Sequence, residues 1–289
     1  MPLYAFDGTW NSDKPGADQD TNVFRFNEAY DDGHSRYMPG VGTRFKLLGR
    51  IVGGITGAGG RTRVDEMMQA LLDNLEEGRE EIDVVGFSRG SALALHFANQ
   101  VDKLPGSPPI RFLGLWDTVP SFGVASIDLN IGWDLDLPDN VLKCYHSLAL
   151  DERRQSFHLH RLDAAVEDAD QEGRLFEVWF RGIHSDVGGG NRNTGLSSVA
   201  MAWMLNKAIN CGLPIKAGSV QANAAGMKPD CAVSDGPWYD LLKNRRRTVR
   251  WNDQVHHSVT WAKDCHNPPV GVALVDDDGK VLGKFASSS

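Results

Sequence analysis

The sequence predicts an α/β fold with a mostly parallel central sheet and helices on both of its faces. Short apolar runs rich in β-branched and aromatic residues alternate with stretches of helical periodicity, the pattern of strands joined by crossover helices. Several of those runs are apolar at consecutive rather than alternate positions, as strands covered on both sides must be. At 289 residues the chain can bury a sizeable core, and one elaborated domain over residues 1–289 is the expectation.

Taken in order, strands are expected at residues 2 to 6 ("PLYAF"), 82 to 87 ("IDVVGF"), 110 to 116 ("IRFLGLW"), 141 to 150 ("VLKCYHSLAL") and 175 to 183 ("LFEVWFRGI"). A helix is expected over 62–77, where Val64, Met67, Met68, Leu71, Leu72 and Leu75 recur at helical spacing opposite Asp65, Glu66, Asp73 and Glu76. Residues 91 to 101, "SALALHFANQV", are apolar nearly all round and suit a helix buried against a sheet. A third helix is expected over about 197–210, with a stripe of Val199, Trp203, Met204 and Ala208.

Two segments break the rhythm. From Ile127 to Leu137, "IDLNIGWDLDL" places apolar residues at every second position, which predicts a half-buried strand or an extended flap within a lid-like insertion at 121–140. Its apolar face, Ile127, Leu129, Ile131, Trp133, Leu135 and Leu137, exceeds what a short connection between core strands needs. That face is expected to line a pocket beside Ser88, the serine of the motif taken up below, where it would help hold an acyl chain. The region 214–289 reads as a C-terminal extension ending in "VGVALVDDDGKVLGKF", two strand-like runs around Asp-Gly and so a hairpin.

Composition narrows the function classes. A net charge of −8 and a pI near 5.6 argue against a nucleic-acid surface and for a small-molecule or lipid partner. Cys144, Cys211, Cys231 and Cys265 show no paired spacing, so neither a disulfide framework nor a zinc site is expected. No metal or cofactor is implied. The start "MPLYAFDGTW" lacks a signal-peptide pattern, and no apolar run reaches the about 18 residues of a spanning helix. Synthesis in the cytoplasm is expected, with any export by a route without a cleaved signal. "GGITGAGG" (53 to 60) fits neither nucleotide-binding glycine pattern and reads as a loop, and "EDADQE" (167 to 172) lacks calcium-loop spacing. "KNRRRTVRW" (243 to 251) reads as a solvated basic face, with transient contact to an anionic headgroup or membrane surface as its functional alternative.

The chemistry points to "DVVGFSRGSA". Gly86-Phe87-Ser88-Arg89-Gly90 matches G-x-S-x-G, in which a strand turns sharply into a helix and holds a strained serine at the tip between two glycines. A glycine-rich turn with a capping serine is the competing reading. A serine nucleophile needs a base, and the base needs an orienting acid, in the chain order Ser, Asp or Glu, His. "LGLWDTVP" puts Asp117 at one strand end, and "WFRGIHSDVGGG" puts His184 at what reads as the end of the last core strand. Asp151 in "LALDERR" is the alternative acid, and His256 or His257 in "VHHSV" the alternative base. Asp186 is expected to stabilise the glycine turn after His184. The oxyanion donors are expected from the N–H of Arg89 and from the loop "AFDGTWN", where Gly8 allows close approach and Asp7 or Thr9 fixes the turn. A plain strand-ending turn is the competing reading there.

The motifs "FDGTWN", "GFSRGSA", "LGLWDTV", "LALDERR", "GIHSDVGGG" and "VHHSV", in that order between residues 3 and 260, resemble a bacterial and fungal α/β-hydrolase-like domain family. That family includes the catalytic part of type VI secretion lipase effectors. The resemblance implies a Ser88, Asp117, His184 triad and ester hydrolysis through an acyl-enzyme, with phospholipase activity in the effector branch. It also implies a secretion-system or immunity partner. Amide hydrolysis or transacylation by the same triad is the alternative within enzymes, and a non-catalytic interaction domain is the alternative outside them.

Overall fold

The computed structural model of the chain describes residues 1–8, 20–40, 57–120, 133–162, 173–191, 194–228, 233–234, 245–261 and 267–286. In chain order the elements are β1 (Leu3–Phe6), α1 (Asn22–Ala29), β2 (Arg36–Met38), α2 (Gly57–Glu76), β3 (Ile82–Phe87), α3 (Arg89–Asp102), β4 (Ile110–Trp116) and β5 (Cys144–Ala149). There follow β6 (Leu175–Phe180), α4 (His184–Gly188), α5 (Thr194–Asn210), α6 (Ser219–Gly226), β7 (Gln254–His256), β8 (Ala273–Val275) and β9 (Val281–Lys284). The strands lie in the order β2-β1-β3-β4-β5-β6-β7-β8-β9. All neighbours are parallel except β8 and β9, which form the expected antiparallel hairpin.

Alternate side chains of the central strands feed two separate cores. Tyr4, Phe6, Val84, Leu113 and Leu115 face one layer with Leu71 of α2 and Phe97 of α3. Leu3, Ala5, Val85, Phe87, Phe112 and Trp116 face the other, with Phe26 of α1 and Trp203 of α5. Two dry faces are why β3 and β4 are apolar without alternation. Among the described residues, no helix is long and apolar enough to cross a membrane.

Several expectations change. β6 is not the last core strand, because β7, β8 and β9 extend the same sheet and make the 214–289 region more than an appendage. Helix α2 begins at Gly57, inside the glycine run read as a loop, while residues 53–56 lie outside the described residues. The lid-like segment changes most. Trp133, Leu135 and Leu137 are buried in the core layer that contains α3, with Trp133 edge-on to His96 at 4.7 Å between ring centres. The Asn99 amide of α3 donates to the carbonyl of Asp136 at 2.9 Å. This half of the segment covers a helix and offers its apolar side to the core, not to a substrate. Residues 127–132 lie outside the described residues.

The glycines of G-x-S-x-G hold α3 against the sheet. A Cβ at Gly90 would lie 2.1 Å from the Phe6 carbonyl oxygen, and one at Gly86 would lie 2.7 Å from the Ser91 Cα. Both obstacles are backbone, which cannot swing aside. Gly90→Ala is therefore expected to lower stability by about 1–3 kcal/mol, as overpacking does, with denaturant unfolding as the measurement.

Candidate active site

Strands β3, β4 and β6 end on the same side of the parallel sheet, and Ser88, Asp117 and His184 follow those ends directly or after a short turn. That edge is where open α/β sheets build sites, since loops there converge beyond the strand carboxyl ends. β1 lies between β2 and β3, so the sheet order reverses beside Ser88.

Ser88 has φ 58° and ψ −125°, an uncommon conformation for a residue with a side chain. Such a backbone costs on the order of 1–3 kcal/mol and persists only where its surroundings enforce it. Here the Ser88 N–H donates to the Trp116 carbonyl at 2.9 Å, and its carbonyl accepts from Ser91 N–H at 3.1 Å. Ser88 occupies the N-cap position of α3 but its side chain makes no capping bond. Its Oγ lies 2.8 Å from His184 Nε2, so the capping-serine reading does not describe it.

His184 opens the five-residue helix α4, after a turn at Gly182 with φ 116°. Its Nδ1 lies 2.6 Å from Asp117 Oδ2. Burial alone would raise the Asp117 carboxyl, but Arg247 and His184 outweigh it and hold the group well below the usual carboxylate range. An ionised Asp117 only accepts, so His184 Nδ1–H donates to it and Nε2 is left to accept from the Ser88 hydroxyl. Burial pushes the His184 ring below the ordinary histidine value, against the opposing pull of Asp117 and Glu152. The neutral ring is thus favoured, and it can take a proton from Ser88.

Aromatic packing fixes the ring's plane. Phe87 stacks on His184 at 4.6 Å, and Phe157 meets it edge-on at 4.8 Å. Gly188 makes room for Phe87, because a Cβ there would lie 1.9 Å from the phenyl ring.

The alternative acid and base are occupied elsewhere. Asp151 pairs with the buried Arg181 at 3.1 Å and accepts from Gly182 N–H at 2.7 Å, so it secures the turn before His184. His256 Nδ1 is 2.8 Å from Ser258 Oγ and its Nε2 is 3.1 Å from Asp277 Oδ1. His257 meets the His256 ring at 4.6 Å, on the same β7 end. Asp186 Oδ2 accepts from Ile183 N–H at 3.1 Å and from Ser234 N–H at 2.9 Å, bracing α4 and the turn around it. Among the described residues, His256, His257 and Asp277 are the group whose ligand atoms, all within 4.8 Å of one another, could hold a metal ion.

The expected oxyanion donors are only partly in place. Arg89 is the first residue of α3, where N–H groups have no intrahelical acceptor. Gly8 N–H, however, donates to Asp7 Oδ1 at 2.6 Å, and Asp7 Oδ2 also accepts from Thr21 and Tyr37 hydroxyls at 2.6 Å each. Gly8 is thereby turned toward a carboxylate, and Asp7 ties the β1 end to α1 and β2. Thr9 lies outside the described residues.

Two contributors are not apparent in the sequence. Arg247, from the basic run, grips Asp117 with both guanidinium nitrogens at 2.5 and 3.0 Å and donates to the Ala149 and Phe157 carbonyls. Glu152, beside Asp151, accepts from the His184 backbone N–H at 3.2 Å and pairs with Arg154 at 2.7 Å. Burial would raise the Glu152 carboxyl, but Arg154 outweighs it and brings the group down to about 2. The basic run was visible, but no spacing reveals that one of its arginines reaches a carboxylate so far upstream.

A family model described as "T6SS, Phospholipase effector Tle1-like, catalytic domain" matches residues 3–104 and 96–207. No curated protein matches the chain. Among solved structures, an uncharacterized protein from Pseudomonas aeruginosa is 20% identical with a TM-score of 0.52, over 81% of this chain and 48% of that one. The Tle1 effector bound to the VgrG spike of the type VI secretion system is 23% identical with a TM-score of 0.47, over 66% of this chain and 51% of that one. The chain spans about half the length of these structures. The first supports the α/β fold, and the second is too distant in shape to add to it.

Proposed function

This chain belongs to the family of Tle1-like phospholipase effector catalytic domains of the type VI secretion system, and on that premise we propose that it is a serine hydrolase of lipid carboxylic esters. Family membership supplies the coarse assignment, hydrolysis of lipid esters. The observation that supports the finer one is the Ser88–His184–Asp117 chain of short contacts at 2.8 and 2.6 Å on a strained strand-to-helix turn.

In this reading Ser88 Oγ attacks the ester carbonyl carbon as His184 Nε2 takes its proton, and the carbonyl oxygen becomes an oxyanion facing the Arg89 N–H. The oxyanion collapses, the C–O bond to the alcohol breaks, and His184 returns the proton to the departing oxygen. Water then repeats the sequence on the acyl-enzyme, with His184 as base, and releases the acid. Asp117 holds the histidine tautomer throughout. The test is labelling with a fluorophosphonate probe: the parent is expected to label and Ser88→Ala is not. Equal labelling of both, or none of either, would remove the assignment. A secretion-system partner and a role against membranes follow as proposals from the family description alone.

Arg247 is a positioning residue in this scheme, acting through Asp117. Activity needs neutral His184, so kcat/KM should be full above the His184 pKa and fall as pH drops through it. Because that pKa is pushed down, the acid limb should lie below the ordinary histidine value of about 6.5. Arg247 contributes to the depression, so Arg247→Met should move the limb to higher pH and lower stability by roughly 3 kcal/mol, the cost of stranding a buried charge. A merely structural arginine would leave the limb where it is.

A further inference from the structure

The ends of β7 and β8 meet at a group of side chains that ester hydrolysis does not use. His256 closes β7 and pairs in register with Val275, the last residue of β8, so the turn into β9 starts beside it. Asp276 fixes the shape of that turn. Its N–H donates to the Lys280 carbonyl at 3.1 Å, and its Oδ1 accepts from the Asp278 and Lys280 N–H groups at 3.0 and 2.9 Å. Asp277 is thereby presented to His256, with Oδ1 3.1 Å from Nε2. His257 follows directly, at the start of a short 3₁₀ turn, with its ring 4.6 Å from that of His256. One ligand atom from each of His256, His257 and Asp277 lies within 4.8 Å of the other two. Among the described residues, the His257 ring touches His256 and Trp261 but has no hydrogen-bond partner.

We propose that His256, His257 and Asp277 bind a divalent transition-metal ion such as zinc, which clamps the β8–β9 turn to the end of β7. The proposal is independent of the hydrolase reading and routes no step of ester cleavage through the ion. Two imidazoles and one carboxylate suit zinc, whereas magnesium and calcium prefer oxygen ligands throughout. With bonds of about 2.0–2.1 Å, neighbouring ligand atoms of a tetrahedral zinc site lie roughly 3.3 Å apart. The His256–Asp277 pair already stands near that separation, and a turn of the half-buried His257 ring closes the rest. Ser258 supplies the outer support: its Oγ lies 2.8 Å from His256 Nδ1 and, as a hydroxyl, can accept from Nδ1–H, which leaves the Nε2 lone pair for the ion. The His256 ring is held in place, 1% exposed and stacked on Phe180 at 4.8 Å. The Asp277 side chain is 40% exposed, which gives an ion an entry path and leaves its fourth position to water. A plain His256–Asp277 hydrogen bond is the competing description, and it gives the His257 ring no polar role. No cysteine spacing announces such a site, because its ligands come from a strand end and a distant turn that only the β7–β8 pairing brings together.

The test uses the full chain without a polyhistidine tag, treated with a chelator and then titrated with Zn²⁺ by calorimetry and with Co²⁺ by visible absorption. Binding of about one equivalent of Zn²⁺ is expected, together with the Co²⁺ d–d bands of a four- or five-coordinate site. Two substitutions remove ligands at half-buried positions. Asp277→Asn keeps a carbonyl oxygen that can accept from His256 but loses the anionic ligand, and His257→Gln removes an imidazole that supports nothing else by hydrogen bonding. Each should weaken Zn²⁺ binding about tenfold or more, and the two together should abolish it. Saturating Zn²⁺ should raise the unfolding midpoint of the parent by several degrees and leave that of the double variant unmoved. Circular dichroism of the metal-free proteins should coincide, which separates a lost ligand from a lost fold. Failure of the folded parent to bind Zn²⁺, or equal binding by parent and variants, overturns the proposal. A midpoint shift of the same size in the double variant assigns the effect to adventitious surface zinc and overturns the clamp. Tighter binding of Mg²⁺ or Ca²⁺ than of Zn²⁺ overturns the imidazole ligand set.

Discussion

Ser88→Ala is expected to lower ester hydrolysis by about a thousandfold or more, leaving only the residual rate that binding and oxyanion donors support. The structure gives two reasons to expect the fold to survive. Among the described residues the Oγ makes one hydrogen bond, to His184 Nε2, and it makes no helix cap. Its removal costs one hydrogen bond, about 1 kcal/mol. The unusual backbone is imposed by Trp116 and Ser91 through main-chain bonds that alanine keeps. Circular dichroism and unfolding midpoint should therefore match the parent closely while turnover collapses. A variant that retains parental turnover would sink the serine mechanism, whereas one that loses turnover only by unfolding would show Ser88 to be a structural residue.

The parts of this site visible in the sequence are those governed by local rules. The elbow was legible because strand, turn glycines and small helix residues are contiguous, and β3 and β4 fall over the runs that announced them. Buried strands advertise themselves through composition. By contrast, β2 and β7 have only three residues each and carry no periodicity. They exist because neighbouring strand edges offer unpaired N–H and C=O groups, a tertiary cause. The segment at 133–137 misled for a related reason: alternation shows that one face is buried, not what covers it, and here α3 does. Arg247 was hidden because long-range ion pairs leave no local trace. Gly188 was hidden because its role is the absence of a side chain beside Phe87.

The acid can be identified by a ranking: Asp117→Asn is expected to cost about 10⁴ in kcat, far more than Asp151→Asn, because an amide in place of the carboxylate favours the wrong histidine tautomer. Both carboxylates are buried and both face an arginine, so stability alone does not separate them. Removing one partner of a buried pair costs about 3–5 kcal/mol, and Asp151→Asn should pay it in full by stranding Arg181. The molecules that remain folded should keep kcat within about tenfold of the parent, since Asp151 touches Arg181 and Gly182 but not the His184 ring. Asp117→Asn strands Arg247 in the same way, and Asp117→Asn combined with Arg247→Met removes both charges. The double substitution should recover much of the stability without recovering activity, so that lost turnover is traced to the histidine and not to unfolding. Near-ultraviolet circular dichroism and denaturant unfolding, which do not depend on Ser88 reactivity, give the folded fraction for each variant. If Asp151→Asn is the more damaging per folded molecule, the orienting acid is Asp151, and the 2.6 Å Asp117–His184 contact is then structural.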